Sequence, residues 1–144
     1  MLKNLCAILM LTAGLFGVAQ AEQKTVVGNF DIHYMAFGST FLTPSIAKTY
    51  NIKRSQYTGI VNITVLDNRL KNKPSVPVKI DGVAKNILDS HINLEFKEVR
   101  EGDATYYIAE VPYRDDGTIN FDINIMHGKE LSTKVKFKQK FYVE

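Results

Sequence analysis

A chain of 144 residues with 18 Lys and Arg against 15 Asp and Glu carries a net charge of +3, too slight to imply nucleic-acid binding on its own. Its 45% hydrophobic content is enough for one packed core, and a single cysteine excludes a disulfide framework. No repeat or low-complexity segment interrupts it.

The first residues read as an address. Lys3 gives a basic start, Leu5 to Val18 is an apolar run, and Ala19-Gln20-Ala21 is an A-x-A cleavage pattern ahead of Glu22. The run falls short of the ~20 apolar residues that a spanning helix needs. The expectation is a signal peptide over residues 1–21, cleaved after Ala21, then a single domain over residues 22–144 that keeps no stable membrane anchor. Cys6 lies inside the apolar run, too early to be the acylated cysteine of a lipoprotein. The exported domain then has no cysteine, and packing alone must hold it together.

Glu22 to Gly28 is a polar lead-in that can pair as a strand through Thr25 to Val27. Phe30, Ile32, Tyr34 and Ala36 share one face of the next strand, with Asp31, His33 and Met35 on the other. Thr43-Pro44 reads as a helix N-cap and first helical residue, since proline's fixed φ and missing N–H suit that place. Ile46 and Tyr50, four apart, would face inward from one or two turns. From Tyr57 to Leu66 the period becomes two, with Val61, Ile63 and Val65 inward, predicting a strand buried on one face. Asp67 to Pro74 is a polar, breaker-rich loop. Val76, Val78 and Ile80 alternate again, and Pro77 among them points to an edge strand. The segment from Leu88 to Ile92 is open between a helical turn and irregular chain.

Asn93 to Val99 and Thr105 to Val111 flank Arg100-Glu101-Gly102-Asp103, a hairpin turn in which glycine supplies positive φ. Asp115-Asp116-Gly117 is a further break. Ile119, Phe121, Ile123 and Ile125 alternate with polar residues, His127 to Glu130 forms a turn, and a last strand turns Val135, Phe137, Phe141 and Val143 inward. Short strands with regular turn signals and one short helix predict an all-β fold: an immunoglobulin-like antiparallel β-sandwich preceded by a signal peptide. The Cys–Trp–Cys core of antibody domains is missing, so the sandwich architecture is expected without an antibody-type centre.

The set His33-Tyr34, Ala36-Phe37, Ser39-Thr40-Phe41-Leu42, Pro44, Ile46-Ala47, Tyr50, Ile52 and Arg54-Ser55 carries a family resemblance. So do Gly59, Asn62-Ile63, Val65, Glu98-Val99-Arg100-Glu101-Gly102-Asp103, Tyr106-Tyr107, Phe137, Gln139 and Phe141-Tyr142-Val143. In that order the chain resembles Domain of Unknown Function 4426, small exported proteins of Gram-negative bacteria. The resemblance implies a periplasmic location and the immunoglobulin-like sandwich. It implies no activity and supplies no catalytic residues, and Asp67–Pro74 and Ile87–Ile92 match none of its motifs.

Catalytic patterns are thin. Ser45-Ile46-Ala47-Lys48 fits S-x-x-K, in which a lysine one turn on helps to deprotonate serine, but neither K-T-G nor S-D-N accompanies it. His33, His91 and His127 have no metal-ligand spacing. Asn62-Ile63-Thr64 is a glycosylation sequon lying mid-strand and is set aside. Glu98, Glu101 and Asp103 around Arg100 suit an exposed, locally paired hairpin better than a shielded acid–base pair.

Two groups remain as binding candidates. Tyr50, Arg54, Tyr57 and Arg100, with Tyr34 and Tyr106-Tyr107, are of the residue types that dominate interfaces, but buried tyrosines and an arginine tying the helix to a strand are the favoured account. Lys134, Lys136, Lys138 and Lys140 line one side of the last strand, ~6.6–6.8 Å apart. They suit contact with an acidic partner or lipid phosphates, or protection of an exposed edge against pairing, and the second reading is favoured. The functional expectation is a non-enzymatic binding or accessory module of the cell envelope. Its partner would be an envelope protein or an anionic surface component, with no cofactor, metal or nucleic acid. The competing expectation is a hydrolase or metal-dependent enzyme acting on envelope material.

Overall fold

Alternating apolar residues give nine antiparallel strands among the described residues of the computed structural model, 22–114 and 117–142. They are β1 (Gln23–Val27), β2 (Phe30–Gly38), β3 (Thr58–Asp67), β4 (Lys79–Lys85), β5 (His91–Leu94), β6 (Lys97–Glu101), β7 (Ala104–Pro112), β8 (Thr118–His127) and β9 (Leu131–Lys140). A first sheet has the order β1-β2-β3-β7-β6 and a second β5-β4-β8-β9. Residues 1–21, where a signal peptide is expected, and Asp115-Asp116 and Val143-Glu144 lie outside the described residues.

The inner faces are those that the period predicts. Phe30, Ile32 and Ala36 of β2, Val61, Ile63 and Val65 of β3, and Phe121, Ile123 and Ile125 of β8 are all buried in one cluster with Val135 and Phe141. Phe137 is half-buried and bridges the sheets, its ring centroid 4.8 Å from both Phe121 and Tyr34. The result is an immunoglobulin-like sandwich.

Four expectations change. β3 is buried on both faces at Ile60, which packs outward with Met35, Phe37, Ala47 and Ile52 into a second cluster, while Asn62, Thr64 and Leu66 are half-buried. That cluster exists because helix α1 (Pro44–Thr49) lies over the outer face of the first sheet. Thr43 caps it as predicted, its Oγ1 accepting from the Ile46 N–H at 3.2 Å. The residue it buries is Ala47, while Ile46 is only half-buried. A short helix close to a sheet leaves room for a methyl group but not for a larger side chain at that point of approach.

Pro77 does not mark an edge strand. β4 begins two residues later and runs between β5 and β8. The lead-in is held by side chains instead: the Tyr107 hydroxyl accepts from the Val78 N–H at 2.9 Å, and the Pro77 carbonyl lies 2.6 Å from His127 Nδ1. Since a carbonyl only accepts, Nδ1 carries the proton. Finally, Asn93–Val99 is not one strand. The chain crosses from the second sheet to the first at Glu95-Phe96, with Leu94 and Phe96 both turned into the core as it passes. The segment left open, Leu88–Ile92, is the end of a turn followed by the start of β5.

The polar loop after β3 is fixed by a buried carboxylate. Asp31, 3% exposed, accepts from Asn68 Nδ2 at 3.0 Å and from Lys73 Nζ at 3.1 Å. Chiefly through the Asn68 amide, and then through Lys73, its pKa sits below the ordinary value near 3.8 despite the burial that opposes this.

Both the core and the buried carboxylate can be tested by unfolding. Phe121→Ala, which empties a site 2% exposed, should lower stability by about 3–5 kcal/mol in denaturant unfolding. Because the folded pKa of Asp31 lies below its unfolded value, its contribution is complete above about pH 4 and fades as pH falls through the depressed value. Asp31→Asn should be less stable at pH 7 and lose less stability on acidification. An unfolding difference between the two forms that stays constant from neutral to acid pH would refute the assignment.

Candidate functional site

The residues singled out in the sequence separate onto two faces. On the outer face of the first sheet, the Tyr50 hydroxyl donates to Glu101 Oε1 at 3.0 Å, and Lys97 Nζ reaches the Tyr50 and Asn51 carbonyls at 3.4 Å. Burial raises the Tyr50 pKa, and Glu101 adds to the shift; Tyr106 is raised by the same two causes, with Glu22 contributing. Both phenols therefore remain donors across the physiological range. Arg54 is structural, Nη2 donating to the Thr40 carbonyl at 2.8 Å. Tyr57 is largely exposed. Arg100 projects from the face of β6 opposite to Glu101 and pairs with Glu98 at 3.1 Å, so it does not join Tyr50.

The lysines belong to the second sheet. β9 is an edge strand, and the register Asp122↔Lys136, Asn120↔Lys138 and Asn124↔Lys134 places their side chains beside those of β8. Lys79 and Lys85 of β4 fall on the same outer face. Asp122 partly offsets them, with Lys134 Nζ at 3.6 Å and Lys136 Nζ at 3.9 Å. Among the described residues neither Lys79 nor Lys138 has a carboxylate within ion-pair reach. Beside these lysines is an open depression of about 500 Å³, walled by Val83, Lys85, His91, Asn120, Asp122, Lys136 and Lys138. Phe121 and Phe137 also line it, so three lysines and Asp122 stand around a largely apolar depression.

The catalytic patterns do not converge. Ser45 and Lys48 are both exposed on α1, and Ser45 offers its carbonyl to Thr49 Oγ1. His33 Nδ1 contacts Glu22 at 2.6 Å on the first sheet, His91 lies at the start of β5, and His127 is at the end of β8. Among the described residues, no group of three or more His, Cys, Asp or Glu is placed to hold a metal ion.

One feature of the charged face escaped the sequence. The turn between β4 and β5, residues 86–90, extends beyond Lys85 and His91, and Ile87 and Leu88 stand 77% and 78% exposed at its tip. The signal for it was an apolar pair enclosed by Asn86 and Asp89-Ser90, residues that fold back on their own backbone.

The family model described as Domain of unknown function (DUF4426) matches residues 24–144. A crystal structure of a DUF4426 family protein from Pseudomonas aeruginosa PAO1 is similar at 30% identity and a TM-score of 0.76, covering 88% of this chain and 99% of that one. FetP of uropathogenic Escherichia coli strain F11, expressed recombinantly in the periplasm, is similar at 11% identity and a TM-score of 0.57 over 85% of this chain and 94% of its own. A copper-bound variant of the same FetP gives 11% and 0.57 over 84% and 95%. These last two likenesses are of fold alone. No curated protein matches the chain.

The helix-side group depends on Ser39. This fully buried serine donates to the Ser55 carbonyl and accepts from the Ser55 N–H, each at 2.9 Å, closing the segment that carries Tyr50 and Arg54. Ser39→Ala should cost about 1–3 kcal/mol, because both Ser55 groups lose their partner. Thermal unfolding indistinguishable from the parent would show that the segment is held otherwise.

Proposed function

The chain belongs to the DUF4426 family, and we propose that it works as an exported, non-enzymatic binding or accessory module of the bacterial cell envelope. The observation that carries this reading is the outer face of the second sheet. It is open to solvent, unlike its counterpart under α1, and is lined by lysines that Asp81, Asp89 and Asp122 balance only in part. A face of that kind attracts and orients an acidic partner over several ångströms without a deep pocket. Tyr50 and Tyr57 remain candidate contacts away from this face, Arg54 is committed to the Thr40 carbonyl, and Arg100 projects from the face of β6 opposite to Glu101.

Export is supported by the leader pattern and cleavage signal before Glu22, and the described residues contain no helix long and apolar enough to cross a membrane. The periplasm is the compartment proposed. The binding reading draws further support from the scattering of Ser45, the histidines and the hairpin carboxylates over separate elements, since acid–base or nucleophilic chemistry needs its groups within hydrogen-bond reach.

The test combines address with contact. Fractionation and mass spectrometry of the native protein should place it in the periplasm with Glu22 as its first residue. A photo-crosslinking side chain at position 136 should then capture an envelope component, while one at Thr49 should not. Retention in the cytoplasm, or hydrolysis of envelope material that Ser45→Ala abolishes, would overturn the reading.

A further inference from the structure

We propose that the tip of the β4–β5 turn and the lysine face beside it together form a contact site for the surface of an anionic phospholipid bilayer. The inference deepens the envelope-module reading and rests on it. Single exposed aliphatic residues are ordinary, but Ile87 and Leu88 are adjacent, nearly bare, and held outward by a built turn. Asn86 Oδ1 accepts from the N–H groups of both Leu88 and Ser90, at 2.9 and 3.0 Å. The Asn86 N–H donates to the Ser90 carbonyl, and the Asp89 N–H to the Asn86 carbonyl. Four N–H groups of the turn are thus satisfied from within, which is what a segment leaving water requires.

The surroundings complete the geometry. Lys85 pairs with Asp89 at 3.0 Å, neutralising the one acid at the tip. The register Lys85↔Asn120↔Lys138 and Thr118↔Lys140 brings Lys138 and Lys140 to the same end of the sheet. There Lys140 lies 5.3 Å from the ring centre of Tyr142, which is 58% exposed. Aliphatic tip, interfacial tyrosine and flanking lysines are the parts of a peripheral anchor: apolar side chains enter the headgroup boundary while cations meet lipid phosphate. A protein partner fits less well, because two aliphatic side chains supply far less than the ~1,000 Å² that a stable interface buries. A second copy meeting this face across a two-fold axis would set lysine against lysine.

The chain has no tryptophan, so Ile87→Trp is a sole reporter. With the protein in the form that the cell makes, its emission should shift to the blue on adding vesicles rich in phosphatidylglycerol, and not on adding pure phosphatidylcholine. Sedimentation with the acidic vesicles should weaken as salt rises. Ile87→Ser with Leu88→Ser should weaken it about tenfold or more, and Lys136→Gln with Lys138→Gln roughly fivefold per lysine. The far-UV spectrum of both should be unchanged, since all four side chains are exposed. No binding, equal binding to both lipids, or binding indifferent to the Ile87 and Leu88 changes would each overturn the proposal. So would a mass doubling in solution that those changes abolish. Fractionation keeps the outcomes apart: a periplasmic protein that ignores vesicles refutes only the bilayer site, and a cytoplasmic one refutes the envelope reading whatever it binds.

Discussion

A file of aromatic rings crossing the sandwich carries the contact between its two sheets. Tyr34 of the first sheet meets Phe137 of the second, Phe137 stacks on Phe121, Phe121 meets Phe141 edge-on at 6.5 Å, and Phe141 stacks at 4.7 Å on Tyr113. With no disulfide in the described domain, these contacts and the aliphatic residues around them supply the cohesion that a cross-link gives antibody domains. The backbone makes room for them. A Cβ on Gly59 would lie 2.6 Å from Phe141 Cε1, so any side chain there displaces the ring.

The two outer faces differ because only one is covered. On the first sheet α1 adds a third layer over Phe37 and Ile60, and polar groups at that surface are committed to structure: Arg54 to Thr40, Tyr50 to Glu101, Asp31 to the loop after β3. At one end Arg69 joins Asp67 to Glu130 and lies over the Phe30 ring, tying that loop to the β8–β9 turn. On the second sheet no described element covers the strands. Lysines along β9, an edge strand, are of the kind that discourages edge pairing, and the same exposure leaves them open to solvent.

Most strands were legible in the sequence because a period of two survives wherever one face meets the core, as in Ile119, Phe121, Ile123 and Ile125. The lysine face was legible for the same reason. What failed to show was anything set by distance in space. The change of sheet at Glu95-Phe96 leaves an apolar pattern that a single strand would also give. Pro77 carried its usual edge meaning until Tyr107, twenty-nine residues beyond Val78, was found to hold the Val78 N–H. Tyr50 and Glu101, fifty-one residues apart, gave no sign of meeting. Ile87 and Leu88 are the clearest case. An aliphatic pair usually belongs to a core, and only the bonding of Asn86 to its own turn decides that this one points away.

The crossing between sheets also bears on timing. β3 takes its second neighbour, β7, from across the whole of β4, β5 and β6, so the first sheet cannot be completed until that intervening stretch has been looped out. Pairings of such long sequence separation close slowly, commonly in milliseconds to seconds for all-β domains. Over that interval β3 has β2 as a neighbour but not yet β7. For the export proposed above, that delay would suit passage through a translocation pore, where early folding is an obstruction and late folding leaves the domain to assemble on the far side.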